Sequence, residues 1–63
     1  MSIEEAIDWC IEHNAQVDFT THEDLHWVRI YLYREGGQVV GAAYTFDDAV
    51  EDAIDFVRPE PTA

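Results

Sequence analysis

Apolar residues near the start of the chain recur at helical spacing. Ile3, Ala6, Ile7, Cys10 and Ile11 share one side of a helical wheel, while Glu4, Glu5, Asp8 and Glu12 gather on the other. Ser2 followed three residues later by Glu5 forms a capping box. The pattern therefore predicts a helix that begins after Ser2 and ends near Asn14, with Trp9 and His13 on the border between its two sides. The period then changes from helical to alternating. Gln16 to Thr20 predicts at most a brief strand, with Val17 and Phe19 on one side. His26 to Arg34 predicts a longer one, in which Val28, Ile30 and Leu32 point one way and Trp27, Arg29, Tyr31 and Tyr33 the other.

Gly36-Gly37 supplies the positive φ angles of a tight hairpin turn, so Gln38 to Tyr44 is expected to return antiparallel. Pairing Glu35 with Gln38 sets Tyr33 opposite Val40, Tyr31 opposite Ala42 and Arg29 opposite Tyr44. The opposite face then matches Val28, Ile30 and Leu32 with Thr45, Ala43 and Gly41, whose small size leaves room for a helix to lie on the sheet. Thr45 and Asp48 cap a second helix, whose stripe is Phe46, Ala49, Val50, Ala53, Ile54 and Val57. It stops at Arg58, because Pro59 disfavours helical geometry in the residue before it. The expected fold is α+β: a two-layer helix-hairpin-helix with an antiparallel sheet, α-β-β-α, or α-β-β-β-α if the brief strand forms. Residues 1-58 are expected to make a single domain and 59-63 a short extended tail.

Length and charge narrow the function classes. A chain of 63 residues buries only about 60% of the surface that its unfolded state exposes, which disfavours a deep catalytic cleft. Its 14 acidic residues face three basic ones, for a net charge of -11. Such a chain is repelled by nucleic acid and by anionic membranes, so the expected partner is cationic, with adaptation to molar salt as the competing explanation. At 48% hydrophobic residues the chain is too apolar for intrinsic disorder. No apolar run approaches a membrane span and the first residues lack a basic leader, so a cytoplasmic location is expected.

The acidic faces carry the strongest functional signal. Asp47, Asp48, Glu51, Asp52 and Asp55 place five carboxylates along about 12 Å of helix, one per roughly 2.4 Å of axis. Duplex DNA carries one charge per roughly 1.7 Å. An ordinary solvated helix mixes Glu with Lys or Arg at i,i+4, and like charges at that spacing cost about 0.2 to 0.5 kcal/mol each. Neither helix offers such a partner. Glu4, Glu5, Asp8 and Glu12 extend the expected partner-binding set. The aromatic sheet face of Trp27, Arg29, Tyr31, Tyr33, Val40 and Tyr44 is a second candidate interface if no helix covers it.

Other chemistry reads as structural. His22-Glu23-Asp24-Leu25-His26 matches H-E-x-x-H, but zinc hydrolysis needs both histidines on one helix face. A β-branched, aromatic strand follows the motif at once. The segment therefore predicts a turn entering that strand, with Thr21 and Asp24 satisfying backbone groups. His13 is expected at a helix C-terminus, where the dipole favours it. Cys10, the one cysteine, is expected as a small core residue, and it leaves no intrachain disulfide possible. Neither catalytic residues, nor a metal site, nor a cofactor is expected.

Two resemblances follow. The stretch from Trp27-Val28-Arg29-Ile30 through Gly41-Ala42-Ala43-Tyr44-Thr45-Phe46-Asp47-Asp48-Ala49-Val50-Glu51-Asp52-Ala53 resembles the hairpin-then-helix layout of plant AP2-type and integrase-arm DNA-binding modules. Those modules grip DNA through basic strand residues, of which Arg29 and Arg34 remain here among acids, so the resemblance implies the layout. In size, charge and helix-hairpin-helix plan the whole chain resembles the small acidic inhibitors encoded by phages, DNA mimics and anti-CRISPR proteins among them. That resemblance implies a non-enzymatic inhibitor, a monomer or weak homodimer. It would block the basic DNA-binding site of a bacterial defence nuclease or CRISPR-Cas complex in the host cytoplasm, without binding nucleic acid itself. The alternative is a small interaction module, antitoxin-like or a halophilic adaptor, that associates through the aromatic sheet face.

Overall fold

The computed structural model describes residues 1-33 and 36-58. Helix α1 (Ile3–Glu12) leads into strands β1 (Gln16–His22), β2 (Leu25–Leu32) and β3 (Gln38–Ala43), and helix α2 (Phe46–Val57) follows. The strands form one antiparallel sheet in the order β1-β2-β3. This is the α-β-β-β-α form of the expected α+β fold. Both helices contribute to a single core on one face of the sheet, built from Ala6, Cys10, Val28, Ile30, Leu32, Val40, Ala49, Val50 and Ala53.

Local signals set the ends of α1. The Ser2 hydroxyl accepts a hydrogen bond from the Glu5 amide at 3.1 Å and donates one to the Glu5 carboxylate at 3.1 Å, closing the capping box. The helix ends two residues before Asn14 rather than at it. Asn14 takes a φ of 52°, its amide bonds Ile11 O at 3.2 Å, and the Ala15 amide bonds Cys10 O at 2.8 Å. This is the Schellman closure that a left-handed Asn allows.

The sequence pattern misplaced which part of α1 is buried. Ala6 and Cys10 are buried and Trp9 and His13 half-buried, whereas Ile3, Ile7 and Ile11 are exposed, Ile11 at 72%. The helix is rolled towards its Trp9–His13 border because it packs chiefly against α2 rather than across the sheet. The isoleucine flank consequently meets no second layer.

In the β2–β3 hairpin, Gly36 and Gly37 have the expected positive φ angles, 72° and 73°, but the register differs from expectation. Leu32 pairs with Gln38, Ile30 with Gly41, Arg29 with Ala42 and Val28 with Ala43. The shift is two residues from Val28 to Ile30, which keeps Val28 and Ile30 on the helix side with Ala43 and Gly41, since the side-chain period is two, and three residues at Tyr31 and Leu32. A bulge opposite Ile30/Tyr31 adds Val40 to β3 and turns it into the core, where it is 3% exposed. Val40 therefore leaves the aromatic face assigned to it above. β2 ends at Leu32, so Tyr33 is not part of the strand expected to run from His26 to Arg34. Arg34, the expected Glu35–Gln38 pair and the tail at 59-63 lie outside the described residues.

Helix α2 lies across β3 and β2. Thr45 caps it by accepting the Asp48 amide at 3.4 Å, and Arg58 leaves it in extended geometry, as a residue before proline should. Its approach to the sheet is set by glycine. A Cβ on Gly41 would lie 2.7 Å from Ala53 N and 2.9 Å from Ala53 Cβ, and closer still to the Ala49 carbonyl oxygen. Gly41, Ala49 and Ala53 thus form a close helix–sheet contact, and the small size of Gly41 leaves the room for the helix that was expected.

Candidate binding surfaces

The two-layer build sorts the side chains into an acidic helix side and an aromatic sheet side. Glu4, Glu5, Asp8 and Glu12 on α1 and Asp48, Glu51, Asp52 and Asp55 on α2 are all exposed, with Asp47 half-buried. Neither helix contains Lys or Arg. The carboxylates of Asp47, Asp48 and Glu51 come within 4.8 Å of one another, so three like charges share the first turns of α2, where the helix dipole favours them. Compensation is sparse. Arg58 reaches Asp55 at 3.5 Å, and the Met1 amino nitrogen lies 3.9 Å from Glu51.

Asp52 differs from its neighbours. Its Oδ2 accepts the Ala42 amide at 3.1 Å, tying α2 to the edge strand β3 and satisfying a peptide group that would otherwise face solvent. Sequence periodicity placed Asp52 on the solvent arc with the rest. A contact between residues ten apart, set by the helix crossing, leaves no local signature.

Among the described residues, no helix lies over the other face of the sheet. Trp27 and Tyr44 lie with ring centroids 4.3 Å apart. Tyr31 and Tyr33 share a shallow depression of about 170 Å³ with Gln16 and Gly37. Tyr33 is 70% exposed and Tyr44 57%. Arg29 sits opposite Asp18 in the β1–β2 register, at the middle of this face. The sequence pattern had gathered Trp27, Arg29, Tyr31, Tyr33 and Tyr44 together, and the structure leaves their face open.

A third surface was missed. An open groove of about 420 Å³ runs between α1, β1 and the start of α2, lined by Ile7, Cys10, Ile11, Ala15, Val17 and Phe46. Phe19, on the same side of the sheet through its pairing with Val28, is 71% exposed. The missing signal was the count of apolar residues, which exceeds what two short helices over three strands can cover.

The H-E-x-x-H segment is a turn entering β2, as expected, and because β1 extends to His22 it is also the hairpin turn joining the two strands. His22 pairs with Leu25, Glu23 and Asp24 both have positive φ (52° and 66°), and Thr21 pairs with His26. Two positive φ angles in a two-residue loop match a type I′ turn. The Thr21 hydroxyl lies 3.2 Å from His26 Nδ1 instead of serving the backbone. Alternation along the hairpin sends His22 and His26 to opposite faces, so this motif lacks the shared face that a zinc-protease site requires. His13 does cap the end of α1: its Nδ1 lies 2.9 Å from Trp9 O, with the two rings stacked at 4.2 Å. Cys10 is buried, and desolvation pushes its thiol up from the ordinary range, which keeps it protonated and unreactive near neutral pH.

Among the described residues, no helix is long and apolar enough to cross a membrane. No protein-family model, curated protein or solved structure matches this chain.

Proposed function

We propose that the protein acts by binding rather than by catalysis, as an acidic mimic of duplex DNA that occupies the positively charged DNA-binding site of a bacterial defence nuclease or CRISPR-Cas surveillance complex. The observation that carries this reading is the collection of nine carboxylates on two neighbouring helices without one Lys or Arg in either. A domain with so small a core tolerates that repulsion at a cost in stability, and the return is a strong outward field. Carboxylates replacing phosphates would receive charge-assisted hydrogen bonds from Lys and Arg, with electrostatically steered association. The class of target comes from the resemblance to small acidic phage inhibitors.

The test is displacement of labelled duplex DNA from a panel of such nucleases and complexes at fixed salt, since both competing affinities depend on salt. Asp48→Lys with Asp55→Lys is the informative variant, because both positions are exposed and neither holds the sheet edge as Asp52 does. Competition should fall by orders of magnitude in this variant and persist in Tyr33→Ala with Tyr44→Ala. Failure of the wild-type protein to displace DNA from any member, or full competition by the lysine variant, overturns the reading.

The second reading, an interaction module that associates through its aromatic sheet face, is favoured by the uncovered Trp27–Tyr44 pair. Loss of partner binding in the tyrosine variant alone would select it.

A further inference from the structure

The two edges of the sheet are treated differently. At β3 the Ala42 amide is occupied by Asp52 and the strand is bulged, both recognised ways of blunting an edge. At β1 neither device is present: Gln16–His22 pairs with β2 over seven positions without a register shift, and contains neither Pro nor Lys. In a hairpin with a two-residue loop, the residues flanking the loop exchange both of their backbone bonds. His22, Thr20, Asp18 and Gln16 therefore direct their peptide groups to β2. Val17, Phe19 and Thr21 direct theirs outwards.

We propose that β1 pairs antiparallel with β1 of a second copy, about a two-fold axis at Phe19, to make a continuous six-stranded sheet. The choice of a second copy rests on the strand's own symmetry of type about Phe19. That axis sets Phe19 against Phe19, Val17 against Thr21, Asp18 against Thr20 and Gln16 against His22. β-branched residues meet, and no carboxylate faces a carboxylate; the one acid of the strand, Asp18, already has Arg29 opposite it in β2. Such self-complementarity is what an isologous interface requires. Val17, Phe19 and Thr21 of each copy then exchange about six backbone hydrogen bonds across the axis. The exposed Phe19 and the Ile7–Ile11 groove, which lies beside β1, gain cover from the incoming strand. The acidic arc of α1 comes nearer to its own copy in this assembly, so dimerisation strengthens with salt. The inference is independent of the mimicry reading.

Sedimentation across micromolar to millimolar concentration, at low and moderate salt, should show a reversible dimer favoured by salt. Amide exchange followed by NMR should show the Val17, Phe19 and Thr21 amides gaining protection as concentration rises, while those of Asp18 and Thr20 stay protected throughout. Thr21→Pro removes an outward amide, together with the exposed hydroxyl contact to His26, and Phe19→Asp sets two carboxylates face to face. Each should leave a folded monomer by circular dichroism. A protein that stays monomeric across this range overturns the inference. So does a dimer that survives both variants but is lost in Tyr33→Ser with Tyr44→Ser, which would move the contact to the aromatic face.

Discussion

The two helices look alike in sequence and behave differently in the fold. Each begins with a hydroxyl cap and two acids in its first turn, and each has an apolar stripe and an acidic arc. Yet α2 seats Ala49, Val50 and Ala53 against the sheet, with Gly41 beneath them, while α1 buries only Ala6 and Cys10 and leaves three isoleucines exposed. Amphipathic periodicity therefore sets the existence of a helix, and the surface facing it sets how tightly it docks. β3 offers a glycine into which a helix can settle. The helix-side surface beside α1, with Val17 half-buried and Phe19 exposed, is only partly covered.

This contrast can be broken most severely at Gly41. No rotation of a neighbouring side chain relieves the clash, because two of the atoms met by an added Cβ belong to the α2 backbone. Gly41→Ala should cost about 3 kcal/mol or more, and Gly41→Val should exceed the roughly 5 kcal/mol available to a domain of low stability. Urea melts followed by circular dichroism check both. A fully stable Gly41→Val would show that α2 is not held where described.

A paired truncation sharpens the difference. Val50→Ala, at a fully buried position of α2, should cost about 2 to 3 kcal/mol. Ile11→Ala, on the exposed flank of α1, should stay within about 0.5 kcal/mol in the monomer. Equal costs, measured in dilute protein, would mean that the isoleucine flank is buried after all.

With little packing to hold it, α1 depends on its ends. Asn14→Ala forces a residue with Cβ but without a compensating side-chain amide into the left-handed region, at about 1 kcal/mol. Hydrogen exchange should quicken in α1 and remain unchanged in α2. Uniform acceleration across both helices would show that the two open as one unit instead.

The smallest effect concerns the charge that the helices share. Screening relieves like-charge repulsion, so melting temperature should rise by a few degrees between low and moderate salt. The protein should already be folded in dilute buffer. If folding required roughly molar salt, where the Debye length is near 3 Å, high-salt adaptation would explain the acidic arcs better than mimicry.

Much of the architecture was legible because its signals are local. Ser2 with Glu5, Thr45 with Asp48, and the positive φ angles of Gly36 and Gly37 each act within a few residues, and the structure keeps both caps and both φ angles. The acidic arcs were equally legible, since a charge at a helical position needs no partner to be counted. β1 was read two residues short, because Thr21 and His22 lead into an unfamiliar turn: Glu23-Asp24 takes the φ angles usually associated with Asn-Gly. The β2–β3 register was missed because the connection between Leu32 and Gln38 is longer than the two-residue loop that paired glycines suggest.

The sequence by itself determined the order of elements, the α+β class, the helix caps, the small-residue seat for α2 and the acidity of both helices, all through spacing along the chain. Only the tertiary structure decided which flank of α1 is buried, that Val40 turns inward, that Asp52 guards the β3 edge and that β1 and the aromatic face stay open. The reason is physical. Each of these outcomes depends on the competition of several surfaces for one small core, and that competition is settled by crossing geometry between residues distant in the chain.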